Sequence, residues 1–154
     1  MDLARQAALA ALLFLSPLAA QCPVKSATFT PYGSGCNTAF PREVPKLGAA
    51  FAPKSCSISL WILAYPGCCN VISRQQVFAF GIGRSSVPLP GGCALLVNPL
   101  VVLPVDRSVR VVNAKLPTTT TLGTFHAQGY VAYSSTLSRR TSPAFTQGLE
   151  ITFR

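Results

Sequence analysis

Residues 124–133 decide the fold, and they read Thr-Phe-His-Ala-Gln-Gly-Tyr-Val-Ala-Tyr. A period of two runs through them, which is typical of a β-strand whose side chains point alternately to two faces. One face carries Phe125, Ala127, Gly129, Val131 and Tyr133, and the other carries Thr124, His126, Gln128, Tyr130 and Ala132. Because the polar face of an antiparallel sheet normally meets water, we expect His126 at the surface or half-buried.

Alternating runs and short continuous apolar runs, both typical of strands, occupy much of the chain on either side. They cover residues 57–62, 77–82, 94–102, 109–111 and 149–153. Proline- and glycine-rich turn segments separate these runs and leave no room for crossover helices, and no window shows a sustained helical period. The sequence therefore predicts an all-β fold, a two-sheet antiparallel β-sandwich stabilised by disulfides.

The first residues differ from the rest in having the features of a targeting segment. Arg5 precedes an apolar run over residues 7–15, and small residues follow it. This order predicts a signal peptide at residues 1–20 and one secreted domain at residues 21–154. No run reaches the roughly 18 apolar residues that a membrane-spanning helix needs, so we predict no transmembrane anchor. Export would end in the periplasm, at the cell surface or in the medium.

The six Cys are most simply explained by disulfides in an exported chain. Cys68 and Cys69 are adjacent, and we expect them to have separate partners because neighbouring Cys bridge each other only with strain. No Cys-x-x-Cys pair is present, His126 is the single histidine, and carboxylates are scarce. The usual zinc ligand spacing is therefore missing, and we predict neither a metal site nor a cofactor.

Several short motifs recur in a recognisable order. They are Tyr32-Gly33-Ser34-Gly35-Cys36, Gly92-Cys93-Ala94-Leu95, Leu122-Gly123 followed by Gln128, and Gly148-Leu149. Together they resemble small secreted β-domains of planctomycetes and related bacteria, over nearly all of residues 27–153. That family has no established biochemistry, so the resemblance implies a fold and a compartment and no catalytic residues. It also implies a disulfide between Cys36 and Cys93, which leaves Cys22, Cys56, Cys68 and Cys69 without assigned partners.

Catalytic groups are sparse in this chain. A hydrolase built on a nucleophile and a histidine would have to use His126, and a glycosidase would have to draw two carboxylates from Glu43, Asp106 and Glu150. We therefore predict that the protein is not an enzyme. A small secreted hydrolase using His126 is one alternative. A disulfide-stapled inhibitor or toxin that presents residues 66–70 is another.

Charge is the strongest functional hint. The chain has 13 Lys plus Arg against 4 Asp plus Glu, for a net charge of +9. Such a balance attracts anionic polymers, and aromatic side chains among basic ones are typical of sheet-based polymer binders. The closest grouping predicts a polyanion-binding surface of Arg107, Arg110, Tyr130, Tyr133, Arg139 and Arg140. The sequence thus favours a secreted structural or binding module of the cell envelope or extracellular space. Its partner would be an anionic polysaccharide, the envelope itself or another protein.

Overall fold

Strands account for most of the described residues in a computed structural model of the chain. The structure describes residues 22–40, 43–64, 71–106, 111–117, 123–135 and 140–154, and at 71–74 it describes the backbone alone. The strands are β1 (Ala27–Tyr32), β2 (Cys36–Asn37), β3 (Lys46–Ala52), β4 (Ser57–Leu63), β5 (Val71–Gly81), β6 (Arg84–Leu89), β7 (Cys93–Val97), β8 (Val101–Asp106), β9 (Val112–Lys115), β10 (Gly123–Ser135) and β11 (Thr141–Phe153). The predicted all-β class is confirmed.

These strands form three antiparallel sheets. The main sheet has the order β1-β11-β10-β5-β8, with β2 also paired to β11, and the facing sheet has the order β3-β4-β9. The third is the β6–β7 hairpin, whose strands are joined by a 3-10 turn at Pro90–Gly92. Gly91 and Gly92 have φ of 79° and 76° in this turn, a conformation that glycine adopts without steric cost.

The core lies between the main sheet and the facing sheet. Ile58, Leu60 and Ile62 are buried from β4, as their alternation predicts, and Leu149 and Ile151 are buried from β11. Aromatic side chains close one end of this core. Here the Phe51 and Phe153 rings, one from each sheet, lie 6.0 Å apart. The two-sheet sandwich is therefore present, and its inner faces follow the period-two pattern.

The outer face of the main sheet is covered as well, which the sequence pattern does not predict. The β6–β7 hairpin lies over it and buries Leu96 and Val97 there. His126 and Gln128 point to this side and are only 6% and 2% exposed. The expectation that His126 lies at the surface or half-buried is wrong, because a third layer covers the polar face of β10.

Gln128 attaches that layer to the main sheet. Its Oε1 accepts from the Leu96 backbone N–H at 2.8 Å, and its Nε2 donates to the carbonyls of Ala94 and Thr146, both at 3.0 Å. The Tyr32 hydroxyl donates to the Leu96 carbonyl at 2.9 Å. Polar side chains are thus buried here because they satisfy backbone groups of the hairpin.

Two disulfides join segments that are distant in the chain. Cys36 and Cys93 are linked, which is the pair that the resemblance implies, with a Cα separation of 5.3 Å and 57 positions between them in sequence. Cys22 and Cys56 form the second, at 5.1 Å and 34 positions. Loop-closure entropy gives each a stabilisation of about 4 kcal/mol. Cys68 and Cys69 lie outside the described residues.

Candidate functional site

The polyanion-binding surface predicted around Arg139 and Arg140 lies only in part within the described residues, so as a whole it stays a prediction. Arg107, Arg110 and Arg139 lie outside the described residues, and Arg140 is exposed where β11 begins. Tyr130 is half-buried and packs against Phe145, with ring centroids 5.1 Å apart. Of the predicted set that the structure describes, Arg140 is exposed, Tyr130 is half-buried and Tyr133 is buried.

The prediction that Tyr133 lies on a binding surface is wrong. Tyr133 is 1% exposed because it points into the core, where its ring meets that of Phe40 edge to face at 5.9 Å. Its hydroxyl has no hydrogen-bond partner among the residues that the structure describes. Burial raises the pKa of Tyr133 above its usual value, and the Glu43 carboxylate adds to the rise.

His126 lies in a polar cluster beneath the hairpin. The Arg84 guanidinium forms an ion pair with Glu150 at 2.6 Å and lies over the Tyr32 ring at 4.5 Å from its centroid. The Tyr32 and His126 rings meet edge to face at 5.6 Å. Burial raises the pKa of Tyr32, Arg84 opposes the rise, and Glu150 adds to it.

This cluster is arranged to hold the layers together. Glu150 is opposite His126 in the register of β10 and β11, but its carboxylate is paired with Arg84. Among the described residues the buried Nδ1 of His126 has no hydrogen-bond partner, so no acid among them orients the ring through this atom. The cluster therefore gives the hydrolase alternative no support.

Two further points of the sequence analysis concern a metal site and the loop of the inhibitor alternative. In the part of the chain that the structure describes, no group of three or more His, Cys, Asp or Glu is placed to hold a metal ion. Residues 66–70, the loop of the inhibitor alternative, fall in a stretch left undescribed.

A different group of basic residues converges at one end of the sandwich. Lys25 is held beside Arg154, because its backbone N–H donates to the Arg154 carbonyl at 2.8 Å. Lys54 lies in the turn between β3 and β4, and Lys115 ends β9, opposite Ser57 in the register. We call Lys25, Lys54, Lys115 and Arg154 the basic end.

Three contacts hold the two halves of the basic end together. The Cys22–Cys56 disulfide joins the segment before Lys25 to the turn that carries Lys54. The Leu116 backbone N–H donates to the Cys56 carbonyl at 2.8 Å, which fixes the end of β9 beside that turn. The Phe51 and Phe153 rings pack between the sheets just inside. The four basic side chains are all exposed.

Of the acidic residues in the described part of the chain, two lie away from the basic end and the third is paired with an arginine. Glu43 precedes β3, whereas Lys54 follows it. Asp106 is opposite Gln75 in the register, and Gln75 lies six residues before Gly81, where β5 ends. Glu150 is three residues before Phe153 and is paired with Arg84. The basic end is therefore a local surface of uncompensated positive charge among these residues, and it attracts anions.

Sequence reasoning missed this surface because its members are scattered along the chain. Basic residues adjacent in sequence, such as Arg139 and Arg140, are visible as a group in the sequence, whereas the basic end is assembled by strand pairing. Arg140 itself lies at the other end of β11, 14 residues before Arg154, which is roughly 48 Å at about 3.4 Å per residue. The only signal in the sequence is that each member adjoins a turn or a strand end.

Comparison with protein-family models finds no match, and no curated protein or solved structure is found to be similar to this chain. Within the ranges that the structure describes, there is no helix long and apolar enough to cross a membrane.

Proposed function

We propose that this protein is an exported, non-catalytic binding module of the cell envelope or extracellular space that holds an anionic partner through its basic end. The observation that carries the proposal is the convergence of Lys25, Lys54, Lys115 and Arg154 at one end of the sandwich. Disulfides persist in oxidising compartments, which supports an extracytoplasmic location.

The basic end suits a large anionic partner better than a small one. Its charges are exposed and spread over two sheets, so each is screened beyond about 8 Å at physiological ionic strength. A polymer or a charged surface contacts several of them together, whereas a single small anion contacts one or two. Binding to such a partner releases counterions and weakens as salt rises.

The disulfide between Cys22 and Cys56 makes this surface rigid before a partner arrives. Because it fixes the Lys25 segment against the Lys54 turn, little backbone freedom is lost on binding. Pre-organisation of this kind raises affinity without adding contacts. The proposal therefore gives one of the two bridges a role in binding as well as in stability.

Titration of a fluorescent heparin fragment at two salt concentrations tests the proposal. The double variant Lys54→Ala/Lys115→Ala removes two charges from the basic end. The matched control Lys46→Ala/Arg140→Ala removes the same charge from exposed positions at the opposite end. We expect at least a tenfold loss of affinity and a shallower salt dependence for the first variant, and less than a twofold change for the control.

Two results would contradict the proposal. Equal losses in the two double variants would mean that net charge alone attracts heparin and that the basic end is no site. Binding by the wild-type protein that does not weaken as salt rises would mean that charge does not drive the interaction.

A further inference from the structure

Four bulky apolar side chains are exposed where β5 ends and β8 begins, at the edge of the main sheet. Ile82 is 68% exposed, Leu100 65%, and Val101 and Val102 58% each. Two backbone hydrogen bonds fix the segment after β5 against the segment before β8. The Asn98 N–H donates to the Gly83 carbonyl at 3.0 Å, and the Leu100 N–H donates to the Phe80 carbonyl at 2.8 Å. We call Ile82, Leu100, Val101 and Val102 the apolar corner.

The apolar corner is open on both sides of the sheet. Val101 and Val102 are consecutive residues of β8, so they point to opposite faces, and yet each is more than half exposed. Among the described strands β8 pairs with β5 alone. Each of the four residues is more than half exposed, and a cluster of exposed apolar side chains of this kind is characteristic of interaction sites.

Strand register places the apolar corner toward the basic end. Gly81, next to Ile82, is opposite His126, and Gly123, three residues earlier in β10, is opposite Phe153, which adjoins Arg154. Three residues of strand span about 10 Å. The segment between β5 and β6, which carries Ile82, and the segment between β7 and β8, which carries Leu100, therefore lie toward one end of the molecule. The four basic side chains lie at that same end.

We propose that the apolar corner and the basic end together dock on an anionic phospholipid bilayer, with Ile82 and Leu100 entering the interface between headgroups and acyl chains. This inference rests on the proposed function and names its partner. A bilayer offers both chemistries at once, since its headgroups attract Lys and Arg while the layer beneath them accepts apolar side chains.

The charge of the chain argues against the other occupants. A second copy seated on the apolar corner would bring two basic ends close together in a protein of net charge +9, and like charges repel across such a contact. A soluble polyanion would contact the basic end but would leave the apolar corner in water. Of these three occupants, the bilayer is the one that engages both features.

Co-sedimentation with vesicles tests the inference. Vesicles of phosphatidylcholine alone are compared with vesicles that also contain phosphatidylglycerol, and we expect binding only to the second kind. The variant Ile82→Ser/Leu100→Ser should lower that binding at least tenfold and change heparin binding less than twofold. The matched control is Leu63→Ser, at a position 60% exposed at the opposite end of β4, which should bind vesicles as the wild type does.

The outcomes separate this inference from the proposed function. Heparin binding without vesicle binding would overturn the bilayer and leave the polyanion module standing, whereas failure of both assays would overturn both. Equal vesicle binding by the wild type and the Ile82→Ser/Leu100→Ser variant would show that the apolar corner does not contact the bilayer. A concentration-dependent dimer that the same variant abolishes would identify a second copy as the occupant and overturn the bilayer.

Discussion

Replacing Gln128 by leucine tests how the β6–β7 hairpin is held against the main sheet. Leucine is close to glutamine in size and apolar, so the substitution keeps most of the buried volume and removes the amide. The Leu96 N–H and the carbonyls of Ala94 and Thr146 then lose their contacts with this side chain. Because Gln128 is 2% exposed, water does not reach these groups without movement of the hairpin.

The magnitude follows from the hydrogen bonds that are lost. A buried hydrogen bond contributes about 1 kcal/mol net, and a buried polar group left without a partner costs about 1 to 3 kcal/mol. Three such contacts give an expected loss of about 3 to 5 kcal/mol in the free energy of unfolding. That is a large share of the roughly 5 to 15 kcal/mol that stabilises an ordinary domain.

Urea unfolding followed by Trp61 fluorescence measures the loss, and hydrogen exchange at the Leu96 amide shows where it acts. The control is Thr124→Val, which removes an exposed hydroxyl pair with Thr152 at 3.1 Å and should change stability by less than about 0.5 kcal/mol. A loss below about 1 kcal/mol for Gln128→Leu would refute the reasoning. So would unchanged exchange at Leu96, because the hairpin would then be held by other contacts.

The remaining predictions concern a buried hydroxyl, a glycine and a disulfide. Tyr133→Phe should stabilise the protein by about 1 kcal/mol in urea unfolding at neutral pH, because the Tyr133 hydroxyl is buried without a partner; no gain would mean that this hydroxyl is satisfied. Burial raises the pKa of Tyr133 above 10.0. The contribution of neutral Tyr133 to the free energy of unfolding is therefore fully present below pH 10 and is lost as pH rises through the folded-state pKa. Tyr133→Phe should for this reason move the alkaline unfolding midpoint upward. Gly148→Val should destabilise the protein by more than about 2 kcal/mol in the same assay, since a Cβ at 148 would overlap the ring of Tyr32; a smaller loss would show that this ring moves aside freely. Cys36→Ala/Cys93→Ala should lower the free energy of unfolding by about 4 kcal/mol while peptide mapping still finds the Cys22–Cys56 bridge, and a reshuffled bridge would contradict the pairing.

The strands were predictable because their signal is local. In β4 and β11 the period of two follows directly from side chains that alternate between solvent and core, and the structure buries Ile58, Leu60 and Ile62 as that pattern requires. The covering of β10 on both faces was not predictable in this way. A glutamine in the sequence does not show whether it is exposed or buried and hydrogen-bonded. The backbone partner of Gln128, Leu96, is 32 positions away in the chain.

The candidate site was less predictable than the fold, for a related reason. Neighbours across a sheet are set by pairing register and not by distance along the chain. Lys25 lies beside Arg154 because Ala27 is opposite Phe153, and nothing near either residue in sequence indicates this. Tyr133 was assigned to a surface because it is close to Arg139 in sequence, but strand periodicity alone places it on the core face.

The layered architecture limits where a partner can bind. The facing sheet covers one side of β10 and the hairpin covers the other, so the centre of the main sheet has no free face on which a ligand could lie. Exposed chemistry is left at the ends and at the β8 edge, and that is where the basic end and the apolar corner are found. A sandwich closed in this way holds end loops rigidly, and the Cys22–Cys56 bridge at the basic end adds to that rigidity. The same features that bury the one histidine under the hairpin therefore favour recognition by an end surface over chemistry in a cleft.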